Sequence, residues 1–275
     1  MVPIAGIDQR YEELVRVIDG LESVVVGFSG GADSTLLLKV AFDQLKDRVL
    51  AVTAVSPSYP ERELKEAEAL AREIGVEHML VDSHEFDQPG YVANAPNRCF
   101  FCKKELFDLL AVAARQRGFA TVAYGAITDD LGDFRPGMDA ARQAGARAPL
   151  LEAGLSKDDV REISRRLGLR TWDRPASACL SSRIPHGTPI DVAELRRVER
   201  AEDILLAEGF RQVRVRAHGE IARIECAAAD LPRLVEPALR ERIAGQLRTL
   251  GFRFVTIDLE GYRTGSLNPV PPRGV

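Results

Sequence analysis

The sequence predicts an α/β protein, a parallel sheet with helices on both faces, followed by a small C-terminal α+β domain. Three observations carry this expectation. Continuous apolar runs alternate with amphipathic helical patterns through the first two thirds of the chain, as strands buried on both faces require. A glycine-rich turn joins the first of these runs to a helix. The last third changes order, to helix, hairpin, helix and strand.

Each element has its own local signal. "SVVVGFS" (Ser23 to Ser29) is a β-branched run ending in a glycine turn, and "DSTLLLKVAFDQL" continues with helical spacing. "RVLAVTAVS" is the next strand. "PERELKEAEALAREIG" is the next helix, with Pro60 at its start and Gly75 at its end. "EHMLVDS" is a third strand, "KKELFDLLAVAARQRG" a helix and "FATVAYGAIT" a fourth strand. The polar, glycine-bearing stretch "DDLGDFRPGMDAARQAGARAPLL" leads to the helix "SKDDVREISRRLGL". Ser156 and Asp159 form the capping box of that helix.

After the loop "ASACLSSRIPHGTPI" comes the helix "DVAELRRVERAEDILLAEG". Two alternating strands in "FRQVRVRAHGEIARIEC" then turn at His-Gly. "DLPRLVEPALRERIAGQLRTLG" is helical, broken or started at Pro232 and Pro237, and "FRFVTIDLE" is the last strand. The expected division is 1–175 for the α/β domain, 176–189 for a cysteine-bearing loop and 190–275 for the small domain.

Composition narrows the function classes. A formal net charge of −4 argues against a dedicated nucleic-acid binder, although the arginines between Arg161 and Arg216 leave room for a local anion site. No apolar run is long enough for a membrane span, and "MVPIAGIDQRYEEL" lacks the parts of a signal peptide. A cytosolic protein is expected. There the four cysteines, Cys99, Cys102, Cys179 and Cys226, would be thiols, metal ligands or catalytic groups rather than a disulfide framework.

"FSGGADSTLLL" is the first candidate site. Gly30 and Gly31 allow backbone amides to approach an anion closely, Ser29 and Ser34 add hydroxyls, and the helix start adds its positive end. A phosphate suits this loop, but the lysine of a Walker A motif is absent. The plainer alternative is a strand-to-helix turn with glycines for geometry. Gly125, in "AYGAITDD", lies at the C-terminal end of a strand, where open α/β sheets bind ligands. Asp129 and Asp130 are its acidic neighbours, suited to Mg²⁺ or a substrate nitrogen.

The thiols form the second. Cys99 and Cys102 make a C-x-x-C at a helix entry, beside Arg98, Lys103 and Lys104. That spacing suits a metal or cluster, or else two semi-buried thiols flanking Phe100 and Phe101. Cys179 has the small neighbours Ala176, Ser177 and Ala178, with Arg174 and Arg183 as nearby charges that favour thiolate and an anionic substrate. Cys226 reads as a packing residue in a strand. The four histidines lack the spacing of a zinc hydrolase. Arg214 and Arg216 alternate on one strand face, as a phosphate clamp or as a solvated face.

The glycine loop resembles the S-G-G-x-D-S pyrophosphate loop of the ATP pyrophosphatase superfamily, which includes GMP and NAD synthetases and tRNA thiolases. That resemblance implies ATP cleavage between the α- and β-phosphates. Ser29, Gly30, Gly31, Ser34 and Gly125 would then surround the nucleotide, Asp33 would hold Mg²⁺, and Lys157 would reach the phosphates. Further motifs, "NRCFFCKKELF", "AYGAITDDLGDFRPGMDAARQAGARAPL" and "RPASACLSSRIPHGTPI", are together similar to the LarE family of sulfur transferases over nearly the whole chain. The resemblance implies adenylation of the carboxylates of pyridinium-3,5-biscarboxylic acid mononucleotide and their conversion to thiocarboxylates. Ser182 and Arg183 would position substrate or AMP, and Arg214 and Arg216 would hold the substrate phosphate.

Two sulfur sources follow from the resemblance. In one, Cys99, Cys102 and Cys179 hold a 4Fe–4S cluster whose open iron carries the sulfur. In the other, Cys179 gives up its own sulfur and becomes dehydroalanine. The full set of three cysteines favours the cluster. A homo-oligomer, with a hexamer as one form, is also implied, whereas the sulfide donor is not specified. A tRNA thiolase and a non-catalytic nucleotide-binding module are the competing readings.

Overall fold

The computed structural model describes residues 6–132, 136–175, 177–263 and 266–267 of the chain. Helix α1 covers Ile7–Asp19, strand β1 Val24–Gly27 and helix α2 Ala32–Leu45. Strand β2 (Val49–Val55), helix α3 (Glu61–Ile74) and strand β3 (Glu77–Asp82) follow. Helices α4 (Pro89–Val92) and α5 (Arg98–Arg117) precede strand β4 (Thr121–Ala123). Helices α6 (Pro136–Gln143), α7 (Pro149–Glu152) and α8 (Lys157–Arg166) come next. The last third holds α9 (Val192–Ala207), β5 (Val213–His218), β6 (Ile221–Cys226), α10 (Leu231–Leu234), α11 (Pro237–Thr249) and β7 (Phe254–Ile257).

The chain divides into two compact units. The first is Met1–Gln88 with Cys99–Ser177, and the second is Pro89–Arg98 with Ala178–Val275. Among the described residues no helix is long and apolar enough to cross a membrane.

In the first unit the strands run in the order β3-β2-β1-β4, all parallel. The central strand explains why both faces need helices. Val24 and Val26 join a core with α1 and α2 (Leu14, Ile18, Leu36, Val40), while Val25 joins a second core with Phe107 and Leu110 of α5 and Ala140 of α6. Alternate residues thus bury in opposite directions, the α/β arrangement that the unbroken apolar runs predict. Each fully buried valine of this kind contributes about 1.5–3 kcal/mol relative to an exposed one.

Caps fall where the sequence puts them. Pro60 precedes α3, Gly75 ends it at φ 86°, and Ser156 with Asp159 forms the capping box of α8. Other boundaries differ. The fourth strand ends at Ala123 rather than running through "YGAIT". There the chain turns over the start of α2 so closely that a Cβ on Gly125 would lie 3.0 Å from the Ser34 amide nitrogen. The polar, glycine-bearing stretch after it contains α6 and α7. Helix α1 was not anticipated either, although Leu14 and Ile18 are one turn apart and both fully buried.

In the second unit the order is β5-β6-β7, with β5 and β6 antiparallel and β7 parallel to β6. Gly219, at φ 63°, makes the hairpin turn that His-Gly predicts. Val213, Val215, Ala217, Ala222, Ile224 and Cys226 are buried, and α9 packs on β5. The intervening positions, including Arg214, Arg216, Arg223 and Glu225, point to the other face.

Candidate active site

Within the first unit, the loop between β1 and α2 lies at the C-terminal end of the central parallel strand, the favoured ligand position in open α/β sheets. Gly30 has φ +65°, and a Cβ there would come within 3.2 Å of Ala67 on α3, so only glycine fits on both counts. The Ser34 hydroxyl accepts from the Ser29 amide (3.3 Å), lies 3.2 Å from the Ser29 hydroxyl and donates to the Gly31 carbonyl (3.2 Å). Across the loop, Lys157 at the start of α8 donates to both oxygens of Asp33 (2.7 and 2.9 Å). Asp129 accepts from the Lys157 amide (2.9 Å) and Asp130 from the Ile127 amide (3.0 Å), so each also braces backbone. The structure thus gathers Ser29, Gly30, Gly31, Asp33, Ser34, Gly125 and Lys157 at one place.

Arg174 behaves differently from its expected role as a charge beside Cys179. Its guanidinium donates to the Gly30 carbonyl (3.0 Å) and to Glu63 (2.8 Å), within the first unit. Ala176, a predicted small neighbour of Cys179, lies outside the described residues.

In the second unit, half-buried Cys179 precedes a short 3₁₀ turn, Leu180–Arg183. The Ser182 hydroxyl donates to the Cys179 carbonyl (2.8 Å). Arg183, expected to touch substrate, is instead fully buried. It donates to the Ala178 and Cys179 carbonyls (2.6 and 2.9 Å) and pairs with both oxygens of Glu202 (2.8 and 3.0 Å). Glu202 also accepts from the Val215 amide of β5 (3.2 Å). Arg183 therefore fastens the cysteine turn to the strand that carries Arg214 and Arg216.

Those two arginines are not a solvated strand face, being only 8 % and 5 % exposed. They line a cleft of about 540 Å³, counting space open to solvent, with Arg98, Ser182, His186 and Tyr262. Arg216 donates to the Ser182 carbonyl (2.9 Å), to Glu225 (2.7 Å) and to Ser266 (3.0 Å), while its buried Nε has no hydrogen-bond partner among the described residues. Arg214 lies over the Tyr262 ring (5.3 Å), and burial followed by the Arg183 charge holds its pKa below the usual arginine value. Two nearly buried guanidiniums lining one cleft favour an anion there.

The sequence reading missed Arg98, His186, Tyr262 and Glu202. Arg98 stood out only as a charge beside the C-x-x-C, yet it donates to the Asn94 side chain (2.7 Å) and the Ser181 carbonyl (2.8 Å). No local pattern brings residue 98 to residue 181.

Cys99 is exposed and Cys102 half-buried in the first turns of α5, in the first unit, while Cys179 belongs to the second. Among the described residues no group of three or more His, Cys, Asp or Glu side chains is gathered as a metal cage. Cys226 is fully buried, and burial and then Asp230 push its thiol up to about 11. Alkylation of the folded protein at pH 8 is expected to label Cys99 and spare Cys226 until denaturant is added. Peptide mass spectrometry checks this, and early labelling of Cys226 would contradict the packing described.

A parallel sheet that delivers a glycine loop, two hydroxyls and an aspartate–lysine pair to one helix start defines a nucleotide-binding α/β protein of the PP-loop type. Consistent with that class, a family model described as NAD synthase matches residues 9–131. Along almost the full chain, the protein is 45% identical to an uncharacterised protein of Synechocystis sp., over 96% of this chain and 98% of that one. It is 40% identical to the pyridinium-3,5-bisthiocarboxylic acid mononucleotide synthase of Lactiplantibacillus plantarum, over 96% of each chain. The chain belongs to the family of that synthase, the LarE family. A tRNA-specific 2-thiouridylase of Synechococcus sp. is a more distant relative, 27% identical over 72% of this chain and 60% of its own.

Proposed function

We propose that the protein is an ATP-dependent sulfur transferase that converts the carboxylates of pyridinium-3,5-biscarboxylic acid mononucleotide to thiocarboxylates. The observation that carries this reading is the anion cleft of the second unit. Arg216 both lines that cleft and bonds the Ser182 carbonyl in the turn that follows Cys179. Recognition of a mononucleotide phosphate and a reactive thiol would thus share one turn of chain.

In the first half-reaction a substrate carboxylate oxygen attacks the α-phosphorus of ATP. The bond to the β-phosphate oxygen breaks, and pyrophosphate leaves into the amides of the Ser29–Ser34 loop. Lys157 is released from Asp33 to neutralise the phosphates. Asp33 would then be the residue to hold Mg²⁺, an ion that binds through one or two carboxylates plus phosphate oxygens and would neutralise phosphate charge. In the second half-reaction sulfur attacks the acyl carbon, the carbon–oxygen bond to AMP breaks, and AMP departs with that oxygen.

The donor chemistry of Cys99, Cys102 and Cys179 fits a 4Fe–4S cluster. None of the three is in a disulfide, none belongs to the fully buried core as Cys226 does, and three thiolates leave one iron open. The bound cluster would supply a transferable sulfur and spare the protein's own. Arg183 and Ser182 hold the Cys179 peptide in place, and Arg214 and Arg216 anchor the substrate phosphate. In the competing route Cys179 Sγ attacks the acyl carbon and AMP leaves. Loss of the Cα proton then breaks the Cβ–S bond, giving the thiocarboxylate and dehydroalanine.

The test is anaerobic incubation with ATP, Mg²⁺, sulfide and the dicarboxylate mononucleotide. Pyrophosphate release that depends on the mononucleotide, together with a thiocarboxylate product, is expected. Arg214→Ala should raise the KM for the mononucleotide by about tenfold or more, the size of a lost hydrogen bond to a charged group, and leave the KM for ATP unchanged. Pyrophosphate release driven by tRNA instead would replace this reading with a tRNA thiolase.

A further inference from the structure

The amides of an anion-binding loop act only if the peptide planes carrying them are turned the right way. Two side chains set those planes here. The Tyr59 hydroxyl donates to the Ser29 carbonyl (2.9 Å), and Arg174 Nη1 donates to the Gly30 carbonyl (3.0 Å). No cis peptide bond occurs among the described residues. In a trans peptide the C=O and the following N–H point in opposite directions. Holding the Ser29 and Gly30 oxygens therefore aims the N–H groups of Gly30 and Gly31 the other way.

The side from which the oxygens are held is that of α3. Ala67 on this helix crowds Gly30, and Arg174 is itself fixed by Glu63 (2.8 Å) and Glu66 (3.2 Å), both on α3. Gly30 holds a φ of 65°, open to glycine and strained for other residues, so the turn keeps both peptides in this orientation.

Arg174 is poorly suited to bind phosphate directly, because Glu63 and Glu66 balance its charge and one nitrogen serves the Gly30 carbonyl. Tyr59 is likewise a neutral donor, since burial and then Glu63 keep its hydroxyl well above the usual tyrosine pKa.

We propose that Tyr59 and Arg174 are positioning residues that orient the Gly30 and Gly31 amides toward the pyrophosphate portion of ATP. The proposal rests on the reading of this loop as a pyrophosphate site. Both residues act through the backbone and touch no reacting atom.

The experiment compares dissociation constants for inorganic pyrophosphate and for AMP by calorimetry on the full-length protein, with melting temperature as a folding control. Tyr59→Phe removes one hydroxyl and Arg174→Gln removes the charge, while Arg174→Lys keeps a single donor. Pyrophosphate binding is expected to weaken about tenfold in Tyr59→Phe and Arg174→Gln, with partial recovery in Arg174→Lys, because each loses one bond that holds an anion-facing peptide. AMP binding should stay within about twofold, since that ligand lacks the pyrophosphate group these amides face. Equal weakening of both ligands, or unchanged pyrophosphate binding in Tyr59→Phe and Arg174→Gln, would overturn the proposal alone. Absence of pyrophosphate binding by the unsubstituted protein would overturn the loop reading and the proposal with it.

Discussion

Replacement of Glu202 by alanine is expected to destabilise the second unit by about 3–5 kcal/mol, the usual cost of breaking a buried ion pair by removing one partner. Arg183 and Glu202 are both 0 % exposed. The variant leaves a guanidinium with no counter-charge and deprives the Val215 amide of its acceptor. Glu202→Gln should cost less, because an amide oxygen can still accept from the arginine. A double replacement, Arg183→Met with Glu202→Leu, should recover much of the loss, since an apolar pair carries no desolvation penalty. Urea unfolding followed by circular dichroism measures all three. A Glu202→Ala midpoint matching that of the unsubstituted protein would mean that this pair does not hold the turn.

Cys179→Ala is expected to lower sulfur transfer by more than about 10³-fold, as loss of an essential nucleophile does, while mononucleotide-dependent pyrophosphate release continues. Under the proposed function both sulfur routes pass through Cys179, whereas adenylation would use the loop of the first unit. Cys99→Ala and Cys102→Ala separate the routes. If the sulfur rides on a cluster, each should abolish multiple turnover with added sulfide and lower the iron and sulfide content after anaerobic reconstitution. If Cys179 is consumed, each should leave a single turnover intact and dehydroalanine at position 179, read by mass spectrometry. Full sulfur transfer by Cys179→Ala would defeat both routes.

What the sequence made legible is what neighbouring residues decide. The run Val24–Val26, the Gly30–Gly31 turn, Pro60, Gly75 and the Ser156 cap each act within a few residues, and the structure has them as read. The loop serines and glycines also come together without long-range help, because a single strand–turn–helix carries them.

Partner choice over long separations was not legible. Arg183 reads as a charge beside Cys179 that positions substrate or AMP, because nothing nearby reveals that Glu202 will meet it in the interior. Arg174 looked like a neighbour of Cys179, yet its contacts lie at Gly30 and on α3. The fourth strand stops early for a similar reason. Its ladder with β1 ends at the Val26–Ala123 pair, and Gly125 then passes close over Ser34, a meeting that nothing local announces.

The segment Pro89–Arg98 also bears on the order in which the molecule can be assembled. It is part of the second unit although the chain around it builds the first. Tyr91 meets the Ser181 hydroxyl (2.6 Å), and Asn94 donates to the Pro185 and Thr188 carbonyls (both 2.9 Å) and accepts from Gly187 (3.0 Å). During synthesis these residues leave the ribosome well before the residues they bind. The first unit can gather its strands while the chain is still growing, but the second can complete its sheet only once translation has passed Ile257. A fragment beginning at Ala178 would lack Tyr91, Asn94 and Arg98. The cysteine turn is therefore completed late in biosynthesis, on a segment made early and held in waiting.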